Sequence, residues 1–336
     1  MENDVAVLTE VNMTLRISWR GLLAGLLMLA LAACGGSDGA HEIVAPPAPE
    51  PGAPTATPES SGAERVGADV PGGTIVFMSN RAGPDNLFLL SMSDGTVGQL
   101  TTLAGVDGFP RMSPNGDEVV YHSGTPALLP EIVVVEASGS FRWLTENEFG
   151  DLMPDWSPDG RRVVFVSDRD GDFEIYMMDA DGANQRQLLA HPGADLFPRW
   201  SPDGSQIVFT SDAGGNNDIY VMTQDGRDVR RLTENPASDE AAEWSPDGTR
   251  LAFTSDRDGD ADVYVVSVAG GNLVNLTDSP AFDSFPSWSP DGSHIAFSSD
   301  RTGNDELWVM RADGAEPLLL TSSPARDTAP HWSSIE

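Results

Sequence analysis

The chain has 336 residues, with 52 acidic side chains against 19 basic ones, a formal net charge of -33, no lysine and one cysteine. A field of that sign repels nucleic acid and anionic lipid headgroups, which excludes functions built on phosphate contacts. A lone cysteine excludes any intramolecular disulfide.

Residues 1–33 read as an export signal. Arg16 and Arg20 precede an apolar run from Leu22 to Ala33, and the 13 residues from Gly21 to Ala33 fall short of the roughly 20 that a membrane-spanning helix needs but suit a cleavable signal. The run ends in Leu31-Ala32-Ala33-Cys34, which resembles a bacterial lipobox; the resemblance implies that Cys34 is lipidated and becomes the mature N-terminus. Glu2, Asp4 and Glu10 ahead of the basic region are foreign to such signals and make Met13 an alternative start. Gly35 stands where a retention signal places Asp, so in a two-membrane bacterium the resemblance implies the periplasmic side of the outer membrane. Residues 34–71 are rich in Pro, Ala and Gly and poor in bulky apolar side chains. Such a stretch buries too little surface to offset its ordering entropy and is expected to be a flexible linker.

From residue 72 to 336 the chain repeats every 44 residues: a Ser-Pro-Asn/Asp-Gly turn opens at Ser113, Ser157, Ser201, Ser245 and Ser289, and the register returns at Ser333. A period of that length, with several short strands per unit, is the signature of a β-propeller with one blade per repeat. In the third repeat, Pro154-Asp155-Trp156 leads into Ser157-Pro158-Asp159-Gly160, then Arg162–Ser167 and Glu174–Met178, with Asp181-Gly182 turning into a fourth strand ending near Leu188. Pro presets φ for the second turn position, and Gly accepts the left-handed conformation at the fourth; Asp-Gly suits a tight hairpin. Trp156, Trp200, Trp244, Trp288 and Trp332, with Met112, form one apolar column, and Phe77, Tyr121, Phe165, Phe209, Phe253 and Phe297 another. Both are expected in the blade-to-blade core rather than on a ligand platform. The second unit departs from the pattern at Ser123–Pro130, an insertion expected to be a loop.

Strands beginning near Thr74, Glu118, Arg162, Gln206, Arg250 and His294 make six four-stranded blades. The first unit lacks a Pro-x-Trp-Ser strand and the chain ends with a spare one, Pro330-His331-Trp332-Ser333. The fold class is therefore all-β, a six-bladed propeller closed by its C-terminal strand, which removes two open edges.

An aspartate precedes the inner strand of every unit, at Asp107, Asp151, Asp195, Asp239, Asp283 and Asp327. Six carboxylates around the mouth of a central channel would repel one another unless compensated, and so form a candidate ring for a divalent cation such as Ca2+ or for a cationic segment of a partner. The competing reading pairs each one locally with loop backbone or with an arginine of the column Arg81, Arg169, Arg257 and Arg301; recurrence in every unit favours that structural role. Asp168, Asp170 and Asp172, like Asp256, Asp258 and Asp260, imitate the opening of a calcium loop but lack its glycine at position six and its closing glutamate. These are weak metal candidates. The one G-x-S-x-G match, Gly35–Gly39, lies in the linker with no strand before it, and the histidines His41, His122, His191, His294 and His331 show no metal-binding spacing. No catalytic residue is assigned.

The repeated W-S-P-D-G, the I-A-F-x-S-D-R-like strand, D-G-D, the I-Y-V-M-like strand and R-L-T together resemble the propeller repeat of TolB, shared with the propellers of prolyl-oligopeptidase-like peptidases and the tricorn protease. The resemblance implies an envelope protein that binds other proteins, among them a peptidoglycan-associated lipoprotein and Tol-system components. It departs in two respects: the sequence holds no counterpart of the α/β domain that precedes the TolB propeller, and it carries a lipobox where TolB is soluble. The expectation is a lipid-anchored scaffold that binds an envelope protein or peptide bearing a cationic segment. It touches the membrane through its anchor alone, binds no nucleic acid and is monomeric. The alternative is a metal-dependent lyase or hydrolase acting on glycan or peptide in the channel.

Overall fold

The computed structural model describes residues 59–60, 70–102, 105–125 and 128–335. The export signal, Met13, Cys34, His41, Gly35–Gly39 and most of the linker lie outside them. The described chain folds as six antiparallel blades. Strands are lettered A to D from the axis outward. Blade 2 runs Val106–Met112, Glu118–Thr125, Leu128–Glu136, Phe141–Trp143; blade 3, Asp151–Trp156, Arg162–Ser167, Glu174–Asp179, Arg186–Gln187; blade 4, Asp195–Trp200, Gln206–Ser211, Asp218–Thr223, Arg230–Arg231; blade 5, Asp239–Trp244, Arg250–Ser255, Asp262–Ser267, Val274–Asn275; blade 6, Asp283–Trp288, His294–Ser299, Glu306–Arg311, Leu318–Leu319.

Blade 1 takes strands B to D from Thr74–Ser79, Asn86–Ser91 and Thr96–Gln99, and its strand A from the C-terminal Asp327–Ser333. Thr74 pairs with Ser333 and Ile75 with Trp332, and the Trp332 indole N–H donates to the Gly72 carbonyl at 3.1 Å. The ring is closed as expected. Two details differ from the expected four-stranded plan. Glu59–Ser60, within the stretch read as flexible linker, pairs with Thr96 and Val97 as a fifth strand on the edge of blade 1. In blade 2 the segment expected to loop out extends the B–C hairpin, pairing Thr125 with Leu128, because its extra residue is absorbed by a register shift in the ladder.

The A–B turns form for the reasons their sequence gives. In blade 3 the Ser157 hydroxyl donates to Asp159 Oδ1 at 2.6 Å and accepts from the Arg162 amide at 2.9 Å, while Gly160 sits at φ 67°. Each blade then packs its B and C strands on the next. Val164, Ile175 and Met177 of blade 3 meet Trp200, Ile207 and Phe209 of blade 4. The phenylalanine column and Tyr121 are fully buried, each such aromatic contributing about 1.5–3 kcal/mol.

Close to the axis every A strand carries a bulge. Phe109, Met153, Phe197, Ala241, Phe285 and Ala329 adopt φ between 49° and 54° where the A–B register shifts. Left-handed backbone costs a non-glycine residue about 1–2 kcal/mol, and the freed amides find partners across the seam. Ala241 donates to Thr210 Oγ1, Phe285 to Thr254 Oγ1 and Ala329 to Ser298 Oγ of the preceding blade, at 3.2, 3.2 and 3.1 Å.

Candidate functional site

The bulges decide what the channel is. They turn Phe109, Phe197 and Phe285, from blades 2, 4 and 6, toward one another with ring centroids 5.4, 5.5 and 6.2 Å apart. A void of about 20 Å3 beside them, lined by Phe109, Arg111, Arg199, Ala241, Phe285 and Ala329, has room for about one water. The axis is thus stoppered by aromatic rings partway along.

On the A–B turn side of that stopper opens a funnel of about 290 Å3. Its wall is the Met112, Trp156, Trp200, Trp244, Trp288 and Trp332 column together with turn prolines Pro114, Pro158, Pro246 and Pro290. The tryptophans are at most 5% exposed, so they are core residues, as expected, that also present an edge to a cavity. Arg162 and Arg250 stack on Trp200 and Trp288 at 4.9 and 4.6 Å.

The polar residues between the funnel and the stopper come from one repeat position, the residue before each tryptophan or Met112: Asp155, Glu243, Ser287 and His331 line the funnel, and Arg111 and Arg199 line the void beside the stopper. Alternation along an A strand that buries its neighbours aims this position at the axis. Arg111 Nη2 lies 2.8 Å from Glu243 Oε2 and its Nε 3.9 Å from Asp155 Oδ1, while Arg199 Nε lies 3.7 Å from Glu243. Three members also tie blade to blade by accepting backbone amides: Asp155 from Trp200 at 2.8 Å, Ser287 from Trp332 at 3.0 Å, and His331 Nδ1 from Met112 at 3.1 Å. Burial raises the Asp155 carboxyl to about 6 despite the opposing pull of Arg111 and Arg199. Burial lowers Arg199 to about 9, with Arg111 adding to the effect. Burial and the same two arginines hold His331 well below the ordinary imidazole range, which keeps it neutral and able to accept. Sequence reading missed this set. Its signal was a position varying freely in charge between two columns of apolar residues.

The six aspartates expected to ring the channel mouth occupy a different place. All six are fully buried, held inside blades rather than displayed on a rim, and arginine or hydroxyl donors reach back to five of them. Arg169 reaches Asp151 at 3.1 Å, Arg257 reaches Asp239 at 2.7 Å, Arg301 reaches Asp283 at 2.8 Å and Arg81 reaches Asp327 at 2.5 Å. Each of these guanidiniums also stacks on two aromatic rings of its blade, Arg257 on Phe253 and Tyr264 at 5.6 and 4.7 Å. Asp107 is held by the Thr101 and Ser123 hydroxyls at 2.5 and 2.6 Å. Neither oxygen of Asp195 has a hydrogen-bond partner.

Among the weaker metal candidates, Asp168 and Asp256 accept the Gly150 and Ser238 amides at 2.8 Å and serve as loop ties. Asp258 accepts from the Tyr264 hydroxyl and from Asn275, and Asp260 is exposed. Asp170 and Asp172 come together with Glu174, a residue the sequence reading did not single out, with carboxylate oxygens within 4.8 Å of one another.

The family described as the TolB beta propeller domain matches residues 129–244 and 233–336. Among proteins of curated function, none matches the sequence. A crystal structure of TolB from Acinetobacter baumannii is similar at 25% identity and a TM-score of 0.70, covering 77% of this chain and 66% of that one, so the chain spans just under two thirds of its length. A TolB candidate from Agrobacterium tumefaciens is similar at 21% identity and TM-score 0.62, over 79% of this chain and 93% of that one. An oligogalacturonate lyase in complex with manganese shares the fold at 19% identity and TM-score 0.54, over 73% of each chain.

Proposed function

Because the chain belongs to the TolB beta propeller domain family, we propose that it is a protein- or peptide-binding scaffold of the bacterial cell envelope, with the tryptophan-walled funnel as its docking surface and a lipid on Cys34 as its anchor. The observation that carries the reading is the funnel itself. A concave mouth edged by tryptophans and turn prolines over a few converging polar groups is a place where a ligand can lodge, and at about 290 Å3 it is sized for a few side chains of a peptide. Asp155 and Glu243 line its base, while their partners Arg111 and Arg199 line the void beneath. It would take a segment that ends in apolar side chains and offers a cationic or hydrogen-bond-donor group. The anchor is supported by Leu31-Ala32-Ala33-Cys34.

The test is crosslinking from native envelopes with the full lipidated chain, comparing wild type with a Pro246→Trp, Pro290→Trp double variant that crowds the rim at turn positions. Loss of a captured partner with an unchanged melting curve supports the funnel as the docking surface; undiminished capture overturns it. Cys34→Ser is expected to move the protein from the detergent to the aqueous phase on partitioning.

The lyase or hydrolase alternative is favoured by the manganese-bound neighbour alone. It predicts stoichiometric metal on elemental analysis and chelator-sensitive turnover.

A further inference from the structure

The seam between blades 3 and 4 breaks the repeat twice at one spot. Five D strands are followed by a threonine, Thr101, Thr145, Thr233, Thr277 and Thr321, but the third repeat has Leu189. In the seam between blades 6 and 1 the Thr321 hydroxyl donates to Glu306 at 2.6 Å, and in that between blades 5 and 6 Thr277 donates to Asp262 at 2.8 Å. Blade 4 in turn has Ala213 where Arg81, Arg169, Arg257 and Arg301 reach an inner-strand aspartate. Both missing donors would have served the same two carboxyls, Glu174 and Asp195, which lie against each other. His191 takes the place of the guanidinium edge-on to Tyr220, at 5.6 Å, but its Nδ1 stays 3.7 Å from Asp195. Glu174 accepts the His191 amide at 3.2 and 3.3 Å and faces the Asp195 carboxyl.

We infer that this seam is a divalent-cation site, with Asp170, Asp172 and Glu174 as ligands and, against Glu174, the buried carboxyl of Asp195, neither of whose oxygens has a hydrogen-bond partner. Asp170, Asp172 and Glu174 each offer a carboxylate oxygen, and these oxygens lie within 4.8 Å of one another, close enough for one divalent cation to bridge them. Asp170 and Asp172 are exposed and Glu174 is buried, so the ion keeps waters on its outer side while its inner side meets Glu174. The twin loop of blade 5, Asp256-Arg257-Asp258-Gly259-Asp260-Ala261-Asp262, is almost the same in sequence and shares two donors with blade 3, Asn275 reaching Asp258 at 3.4 Å as Gln187 reaches Asp170 at 2.6 Å, and the Ser279 amide reaching Asp262 at 3.2 Å as the His191 amide reaches Glu174; what blade 5 adds is the Thr277 hydroxyl and the Asn275 amide on Asp262, at 2.8 and 3.0 Å. An all-oxygen site with outer waters belongs with the weak, extracellular class of Ca2+ sites, with Kd on the order of 10⁻⁴–10⁻³ M.

Calcium chloride titrated calorimetrically into chelator-treated full-length protein is expected to give one saturable site and a raised melting temperature, and Tb3+ bound there is expected to luminesce on excitation of Tyr176, which contacts Asp170. Glu174→Gln and Asp172→Asn should abolish both responses, and Asp260→Asn in the twin loop should leave them intact. Ala213→Arg, which keeps every ligand but restores the missing cation, should weaken Ca2+ binding at least tenfold. No saturable binding up to 10 mM, a response that survives Glu174→Gln, or one lost equally in Asp260→Asn would each overturn the assignment.

Discussion

The blade 5–6 and blade 3–4 seams are built from nearly identical loops and reach opposite electrostatic outcomes. In the first, Asp283 receives Arg301 at 2.8 Å and Ser279 at 2.9 Å, and Asp262 receives Thr277 and Asn275. In the second, neither an arginine nor a threonine reaches Asp195 or Glu174; the two carboxyls face each other, Asp195 beside the Ser211 hydroxyl, and Glu174 accepts a backbone amide. Burying a carboxylate is tolerable when it is paired and hydrogen-bonded, and costly otherwise. The comparison teaches that the recurring aspartate is a construction element only where a side-chain donor recurs with it, an arginine in four blades and the Thr101 and Ser123 hydroxyls at Asp107. Two differences, Leu189 and Ala213, remove the hydroxyl and the guanidinium that the blade 5–6 seam supplies to its two carboxyls.

The largest way to break the contrast is to impose the blade 4 condition on blade 6. Arg301→Ala strands a fully buried Asp283 and removes a stacking contact with Phe297 and Trp308. Removing one partner of a buried pair costs about 3–5 kcal/mol, so the expected result in urea unfolding is a loss of that order. A loss under 1 kcal/mol would show that the arginine column is ornament.

A second handle is pH. Asp107, in the blade that also lacks the arginine, is held by hydroxyls alone, and burial raises its carboxyl from 3.8 to about 6. A carboxyl whose folded value exceeds its unfolded one binds more protons when folded, so stability is greatest below the unfolded value and declines as pH rises from about 4 to about 6. Two units correspond to at most about 3 kcal/mol. The propeller is therefore expected to melt higher at pH 5 than at pH 7.5, and Asp107→Asn to remove part of that slope. A melting temperature flat from pH 4 to 7 would count against it.

Most of the fold was legible because its determinants are local and recur: the Ser-Pro-Asp-Gly turn, the two aromatic columns and the spare strand around Trp332 each name their place through spacing. The site was less legible for a physical reason. A carboxylate's burial depends on a donor that arrives from a loop 18 residues away, as Arg257 does for Asp239, so sequence shows the charge but not its compensation. The base of the funnel escaped notice because its members share a position and not a chemistry, with arginine, acid, serine and histidine in turn. The stopper of Phe109, Phe197 and Phe285 depends on a left-handed bulge at residues that carry no glycine to announce it.

The smallest expected effect is also the most direct measure of the contrast. In chelator-treated protein, Asp195→Asn replaces a carboxylate that no donor compensates with a neutral side chain of the same shape, whereas Asp283→Asn deletes the anionic half of a working ion pair. Burial is complete at both positions, so desolvation is matched and the difference reports compensation alone. Asp195→Asn should leave stability unchanged or raise it by about 1 kcal/mol, since it removes the penalty of an unsatisfied buried group, while Asp283→Asn should lower it by several times that amount because Arg301 is left unpaired. With saturating Ca2+ the gain from Asp195→Asn should vanish, the ion having already offset the charge. Equal losses in the two variants would mean that Asp195 is served by a donor after all, and the two seams would then be the same joint.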